Sequence, residues 1–348
     1  MTKGPLKFIL ITSFLVIVTA VSWAQDQDCL TKLDGAETLF NTGLFEEVPA
    51  LLENCMELYS ETDKQKAYRL IILAHYLNDD IAAAEESMYF LLKEFPDFQP
   101  VASDLVDFQY IFNSFNVRRS MDLGISLGPA WTSGRIIEPY SPFSDKFTYR
   151  ANGTGFFAAA YMDIPVNEVF SINTEPGYLL AKYEIRYENA INGIYKIEQS
   201  ETNSLIQLPV YAKVTFLDTK IQLYAKAGFM LGYLTGSRTQ SNIEKLNPGT
   251  GTIIYTKPNI QRVHLEFRNK LYYFLGGGGG LKLNFKKSCL FSELDYHISL
   301  NKTLKKGTNR YDQKNLWTDG WIDSDFGLRN ISIRVGMAWS IYTIKKIR

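Results

Sequence analysis

Between Ile221 and Tyr233 the sequence reads IQLYAKAGFMLGY, and its hydrophobicity alternates with a period of two. One set of alternate positions is Ile, Leu, Ala, Ala, Phe, Leu and Tyr, whereas the other is Gln, Tyr, Lys, Gly, Met and Gly. Successive side chains of a β-strand point to opposite faces of a sheet, so this pattern predicts a strand with one apolar and one more polar face. The same rhythm returns repeatedly after residue 120, and it predicts a domain built from such strands.

Eight segments carry this alternation, and short connections between them alternate with long ones. Short turns at one end and long loops at the other are typical of barrels in the bacterial outer membrane, where the short turns face the periplasm. We therefore predict a mainly β fold, an eight-stranded antiparallel transmembrane β-barrel over residues 119–348. The predicted strands are residues 121–131, 154–164, 169–183, 202–216, 220–234, 269–284, 289–301 and 327–343, and the long connections are 132–153, 184–201, 235–268 and 302–326.

Alternation alone does not decide which face points inward, because a water-soluble, lipocalin-like barrel would show the same period with its faces exchanged. The more polar face carries small residues such as Gly228, Gly276 and Gly336. Small residues suit a crowded lumen, whereas a solvated outer face would favour Lys, Glu and Thr. The other face is aliphatic, with residues such as Ile206 and Val335. This difference favours the membrane orientation, in which the aliphatic face contacts outer-membrane lipid.

Acidic and basic residues share the face assigned to the lumen. Because both signs occur there, we expect an internal network of ion pairs and hydrogen bonds. The interior of an eight-stranded barrel is just wide enough for side chains to fill, so the sequence predicts a plugged barrel and not a pore. The predicted members of this network are Glu175, Lys213, Lys226, Lys282, Glu293, Asp295, His297 and Arg334.

The first residues have the composition of a secretion signal. Two lysines precede an apolar run from Phe8 to Val21, and the small residues Ser22 and Ala24 follow it. This arrangement predicts a signal peptide over residues 1–24. A membrane anchor helix is the alternative, but the apolar run is shorter than the roughly 20 residues that a span needs.

Residues 25–118 predict a small helical domain, because their apolar residues recur every three or four positions. The segment 41–47 recurs loosely as 77–83, a spacing of about 36 residues that is close to known helical-hairpin repeats. The domain therefore resembles a degenerate tetratricopeptide (TPR) pair, and a plain four-helix packing unit is the alternative. In either arrangement the helices would present a groove for a protein or peptide partner.

The three cysteines permit one disulfide in an exported chain. Cys29 and Cys55 lie at similar distances on either side of the turn at Gly43, so an antiparallel helix pair would place them at similar heights. We predict a possible disulfide between them, with two ordinary buried thiols as the alternative. Cys289 is expected to be a packed strand residue.

No motif in the chain predicts catalysis, a cofactor or a metal. His297 and Ser299 share a strand face with Glu293, so a base, a nucleophile and an acid could in principle meet there. These side chains fall on the lumen face, however, where a lipid substrate could not enter, and a buried, hydrogen-bonded histidine is the preferred interpretation. The glycine run 276–280 lacks the Lys and Ser or Thr of a phosphate loop. The balance of 37 basic and 37 acidic residues gives no case for nucleic acid.

From about Met121 to Tyr342 the chain resembles the PorT-like outer-membrane β-barrel family of Bacteroidota. The resemblance rests on MDLGISLG at 121–128, IQLPVYAK at 206–213 and LYAKAG at 223–228. It implies an eight-stranded barrel, export by a cleaved signal and no cofactor. Some members of that family serve type IX secretion, a role that no residue of this chain carries over.

The sequence therefore predicts a non-enzymatic protein of the bacterial outer membrane. We expect the barrel to anchor the helical domain, and the helical domain to hold a protein or peptide partner in the periplasm. An outer-membrane enzyme or a small-solute channel is the alternative.

Overall fold

The computed structural model of the protein describes residues 28–138, 147–150, 154–189, 195–216, 220–263, 265–305 and 325–347. The predicted signal peptide, residues 1–24, lies outside these ranges. The described residues form two compact units, one within Met1–Arg118 and Tyr342–Arg348 and the other within Arg119–Ile341. Among the described residues, no helix is long and apolar enough to cross a membrane.

The first unit is helical. Each helix buries apolar residues in one or both of two clusters. One cluster contains Val48, Leu52 and Ile71, and the other contains Met88 and Leu91. The helices are α1 (28–41), α2 (Glu47–Leu52), α3 (Glu61–Leu77), α4 (Ile81–Glu94) and α5 (Val106–Asn113), and a single 3-10 turn, Glu53–Cys55, follows α2.

Helices α1 and α3 end in the same backbone motif. Gly43 and Asp79, about 36 residues apart, both adopt left-handed conformations, with φ of 83° and 59°. In each case the amide of the next residue donates to the carbonyl five positions earlier, at 3.0 Å for Leu44 and 2.9 Å for Asp80. These are the bonds of a Schellman cap, which ends a helix where a residue takes the left-handed conformation. The loose sequence repeat therefore corresponds to a repeated helix-ending turn.

Cys29 on α1 and Cys55 after α2 are joined by a disulfide, with their Cα atoms 5.6 Å apart. Both residues are buried in the apolar cluster that contains Val48 and Leu52. The hydroxyl of Tyr59 donates to the Cys29 carbonyl at 3.1 Å. The disulfide thus links α1 to the end of α2 inside the apolar cluster.

Reduction of this disulfide is expected to destabilise the helical unit by about 3 kcal/mol, because the bond closes a loop of 26 residues in the unfolded chain. Thermal melts of the full chain, followed by the helical circular dichroism signal with and without reductant, measure this loss. A Cys289→Ser variant should respond to reductant in the same way, since Cys289 is a free thiol. Identical melts with and without reductant would contradict the prediction.

The end of the chain belongs to the helical unit. Ile344 packs against the cluster that contains Met88, and the Lys346 ammonium lies 2.5 Å from the Glu85 carboxylate. The amide of Ile347 donates to the Ser114 carbonyl at 2.7 Å. Residues 342–347, which the sequence analysis placed in the barrel domain, therefore pack with the helices.

The second unit is an antiparallel sheet closed into a ring of eight strands. The ring runs β1, β3, β5, β6, β7, β9, β10 and β11, and β11 returns to β1; β4 and β5 act as one strand interrupted at Glu175 and Pro176. This confirms the predicted eight-stranded barrel. The strands are β1 (Phe115–Glu138), β2 (Phe147–Arg150), β3 (Thr154–Pro165), β4 (Phe170–Thr174), β5 (Gly177–Asn189), β6 (Tyr195–Thr215), β7 (Ile221–Leu246), β8 (Ile253–Val263), β9 (Leu271–Asn284), β10 (Ser288–Ser299) and β11 (Asp325–Lys346).

Much of the sequence assigned to the long connections also forms strands. Strands β1, β5, β6 and β7 continue into them, and β2 and β8 lie wholly within them, paired with β5 and β7. The stretch from Thr235 to Leu246 looks loop-like in sequence because both of its faces carry polar residues. The hydrogen bonds between strands join backbone atoms and do not require an apolar face. A strand with two polar faces can therefore continue beyond the membrane.

The outward side chains of the ring are mostly apolar and partly exposed, and the representative members named below are between 39% and 68% exposed. Such a band around a closed barrel matches the hydrocarbon layer of a membrane. Representative members are Leu123, Ile125, Ile172, Leu208, Val210, Leu223, Phe229, Leu275, Leu281, Leu294, Ile333 and Val335.

Two groups of half-exposed aromatic residues border this band. On β6, the distance from Ile206, which pairs with Tyr233, to Phe216 is roughly 25 Å at ~3.3 Å per residue and a strand tilt of ~40°. That is the height of the apolar band in outer-membrane barrels, whose edges are marked by aromatic girdles. The girdle at the short turns contains Phe170, Phe216, Phe285 and Trp339, and the girdle towards the long connections contains Tyr178, Tyr233, Tyr273 and Tyr296.

Candidate functional site

The polar interior of the barrel is the candidate site. All eight predicted lumen residues lie inside the ring, and none is more than 6% exposed. They are Glu175, Lys213, Lys226, Lys282, Glu293, Asp295, His297 and Arg334.

The centre of the lumen holds two cations among three carboxylates. The Lys226 ammonium lies 2.6 Å from both Glu175 and Glu293, and 3.6 Å from Asp295. The Arg334 guanidinium contacts the same three carboxylates, with its Nη2 3.1 Å from an oxygen of Glu293. Each carboxylate is therefore shared by both cations, and we call these five residues the central cluster.

The glycine run of β9 makes the central cluster possible. Gly278 lies between Lys226 on β7 and Asp295 on β10, while the next inward position, Gly280, lies between Tyr224 and Glu293. A residue with a side chain at either position would stand between the two partners. The glycines leave the middle of β9 without side chains on its inner face, so side chains from the strands on both sides meet over its backbone.

Tyrosines connect the central cluster to the rest of the lumen. The hydroxyl of Tyr224 donates to Glu293 at 2.6 Å, and the Lys213 ammonium lies 4.2 Å from the centre of the Tyr224 ring. Lys213 also donates to Asp163 at 2.9 Å and to the Tyr161 hydroxyl at 3.0 Å. Lys213, Asp163 and Tyr161 therefore form a second group, and the Tyr224 ring lies between this group and the central cluster.

A third group surrounds Asp122 near the short-turn end. Lys282 donates to Asp122 at 2.6 Å, the Ser340 hydroxyl donates to it at 2.9 Å, and Arg119 forms a two-pronged pair with it. Asp122 and Asp163 were missed in the sequence analysis. Both lie in predicted strands, at the alternate positions that face the lumen. The same alternation therefore predicts that they point inward.

A fourth ion pair lies towards the long connections. The Arg268 guanidinium binds Glu201 through two nitrogens, at 3.1 Å and 2.6 Å, and lies over the ring of Phe326. Both charged residues are almost fully buried. Strand alternation could not indicate this pair, because Arg268 follows a 3-10 turn, Leu265–Phe267, and not a regular strand.

The charges of these four groups balance. Among the described residues of the four groups, six acids are each paired with one or more of six bases, so the groups together carry no net charge when all are ionised. An ion pair buried in this way is strongly destabilising to break, even where its net contribution to stability is small. The acids are Asp122, Asp163, Glu175, Glu201, Glu293 and Asp295, and the bases are Arg119, Lys213, Lys226, Arg268, Lys282 and Arg334.

An apolar layer fills the barrel between the central cluster and the Arg268–Glu201 pair. Its residues include Phe157, Leu179, Met230, Phe274 and Leu328. A cavity beside Arg334 and Met230 measures about 10 Å³, which is room for about one water molecule. Side chains therefore close the lumen at this level.

His297 and Ser299 have separate partners. The Nε2 atom of His297 lies 2.5 Å from the Tyr211 hydroxyl, whereas the Ser299 hydroxyl accepts from the Leu328 amide at 2.7 Å and donates to the Asn301 carbonyl at 3.1 Å. The structure thus places neither residue in a base–nucleophile pair with the other. Within the described ranges, no group of three or more His, Cys, Asp or Glu residues could hold a metal ion. The free thiol of Cys289 is buried beside Tyr161.

Residues 114–305 match the sequence model of the outer membrane protein beta-barrel domain. The chain belongs to this family. Its barrel is therefore an outer-membrane β-barrel, and its location is the outer membrane of a bacterial cell. A search of curated proteins gave no match.

Several solved outer-membrane barrels are similar to this one. The attachment invasion locus protein Ail of Yersinia pestis is 12% identical, covers 64% of this chain and 100% of its own, and has a TM-score of 0.27. OprG of Pseudomonas aeruginosa is 9% identical over 64% of this chain and 97% of its own, with a TM-score of 0.34. The outer membrane protease OmpT of Escherichia coli is 10% identical over the same shares, with a TM-score of 0.30. The family assignment rests on the sequence match.

Proposed function

We propose that this outer-membrane barrel is a non-enzymatic anchor for a periplasmic helical domain that binds a protein or peptide partner. The observation that carries the proposal is the filled lumen. Paired charges occupy its centre and an apolar layer closes it above them, which suits a membrane anchor better than a channel. The same filling leaves His297 without access for a lipid substrate.

The strand order supports a periplasmic position for the helical domain. Asp122 near the start of β1 pairs with Asp163 near the end of β3, so the chain enters the barrel at the short-turn end. An even number of strands returns β11 to that end. Short turns face the periplasm in barrels of this type, and the resemblance to PorT-like barrels agrees with this orientation.

The helical unit has the features of a protein-binding module. Its repeated helix-ending turns at Gly43 and Asp79 support a TPR-like arrangement, in which paired helices present a binding groove. Val106 and Tyr110, one turn apart on α5, are 79% and 70% exposed. Apolar surface of this kind on a small domain supports contact with a partner.

No ion conductance is expected when the folded protein is inserted into a planar lipid bilayer, because the lumen is filled at the level of the central cluster. Single-channel recording of the full chain measures this directly, and heat-modifiable gel mobility verifies that the inserted protein is folded. Reproducible ohmic steps from folded protein would contradict the anchor proposal and favour a small-solute channel.

A photoreactive residue in place of Tyr110 is expected to cross-link one discrete envelope protein in living cells. The same residue in place of Tyr273, in the lipid-facing girdle, is the control and should give no protein adduct. A His297→Gln variant should leave the Tyr110 adduct unchanged, since that histidine has no part in the proposed binding. Equal adducts at both positions, or none at Tyr110, would remove the support for a partner.

A further inference from the structure

The barrel wall extends beyond the tyrosine girdle as a sheet that contains β2, β5, β6, β7 and β8. Strands β6, β7 and β8 remain paired from the level of Arg238 to that of Leu246. On β7, Lys245 lies roughly 30 Å beyond Tyr233 along the barrel axis, at ~3.3 Å per residue and a tilt of ~40°. This extension therefore lies outside the hydrocarbon layer, at the end opposite the short turns.

One face of this extension forms a pocket of about 340 Å³. The volume falls in the range of pockets that hold small organic molecules, and it far exceeds the cavity beside Arg334 in the lumen. The lining residues are Tyr195, Tyr255, Ile197, Ile243, Ile254, Lys245 and Lys257.

The register arranges these side chains in two rows across the sheet. Tyr195, Lys245 and Tyr255 are cross-strand neighbours, so one ammonium stands between two aromatic rings. In the adjacent row Ile197, Ile243 and Lys257 are neighbours. Directly opposed side chains on one face are close enough to contact the same ligand.

Two of the described residues that line the pocket, Lys245 and Lys257, are cations, and none of the described lining residues is an acid. The side chains of Glu198 and Glu244 point to the opposite face of the sheet, where the carboxylates of both lie within 4 Å of the Lys196 ammonium. Glu201, the acid on the inner face of this part of β6, is paired with Arg268. Burial raises the pKa of Tyr195 above its usual value, so its hydroxyl stays protonated at neutral pH and is able to donate a hydrogen bond.

We propose that this pocket binds a small organic anion with a flat apolar body, such as an aromatic carboxylate. Lys245 and Lys257 bind the anionic group, and the tyrosine rings and isoleucines contact the apolar body. An apolar wall with a few placed polar groups is the general form of small-molecule sites. The site is separate from the proposed partner-binding helices, so either proposal stands if the other fails.

Calorimetric titration of the full chain in phosphatidylcholine nanodiscs with naphthalene-2-carboxylate tests this proposal. We expect saturable binding with one site per barrel, and no such binding to empty nanodiscs. Naphthalene-2-methanol, which lacks the charge, and acetate, which lacks the apolar body, should each bind at least tenfold more weakly.

A Lys245→Gln, Lys257→Gln double variant should lose at least tenfold in affinity. The matched control is Lys286→Gln, Lys287→Gln, which removes two lysines at the short-turn end and should bind as the unchanged protein does. Heat-modifiable mobility verifies that both variants are folded. No saturable binding to the unchanged protein, equal affinity for the neutral analogue, or equal losses in the two double variants would overturn the proposal.

Discussion

Lys226→Met is expected to destabilise the barrel by about 3 to 5 kcal/mol, because it leaves buried carboxylates without one of their two cations. Lys226 is 2.6 Å from both Glu175 and Glu293, and all three side chains are shielded from solvent. Methionine fills a similar volume, so the change isolates the loss of charge from the loss of packing. Urea unfolding in lipid vesicles, followed by tryptophan fluorescence, measures the free energy difference.

A Lys220→Met variant is the matched control, since Lys220 is exposed beside a short turn, and it should unfold like the unchanged protein. Adding Glu293→Gln to Lys226→Met should restore part of the lost stability by removing one uncompensated charge. If Lys226→Met and Lys220→Met changed the free energy of unfolding by the same small amount, the carboxylates of the central cluster would not be ionised.

The strand positions and the lumen face could be predicted from the sequence because both depend on a local rule. Within a strand, parity fixes the face of every residue once the face of one is known. The eight predicted lumen residues therefore all lie inside the ring, from Glu175 between β4 and β5 to Arg334 on β11.

The pairing of those residues could not be predicted, because it depends on register between strands that are distant in sequence. Glu175 and Arg334 are separated by 159 residues, and nothing local to either indicates the other. Register also decides that Gly278 lies between Lys226 and Asp295, and that Gly280 lies between Tyr224 and Glu293. The sequence predicts that these glycines face a crowded lumen, but it does not indicate which side chains meet over them.

A charged lumen helps to specify which way each strand faces. A shift of one residue in register would turn Lys226 and Glu293 towards lipid and the aliphatic residues inward. An unpaired charge in hydrocarbon costs several kcal/mol at the bilayer midplane, so such a shift is strongly disfavoured. A lumen lined only by apolar residues would distinguish the two faces far less.

Gly280→Val is expected to destabilise the barrel by about 3 to 5 kcal/mol. A Cβ atom at this position would clash with the backbone carbonyl of Ser292, and it would stand 2.7 Å from the Tyr224 hydroxyl oxygen and 2.8 Å from the ring carbon that bears it. Overfilling a packed interior costs about 1 to 3 kcal/mol, and losing the hydrogen bond from Tyr224 to the Glu293 carboxylate costs about 1.5 to 3 kcal/mol more. The same urea titration measures the loss.

The matched control is Gly249→Val in the turn between β7 and β8, where a Cβ atom would meet nothing closer than Asn247 at 3.6 Å. It should unfold like the unchanged protein. In a Tyr224→Ala background, Gly280→Val should cost less than it does alone, because the ring that it displaces is already gone and only the clash with the Ser292 carbonyl remains. Equal costs with and without Tyr224 would mean that the backbone carbonyl of Ser292, the other neighbour of this position, sets the need for glycine.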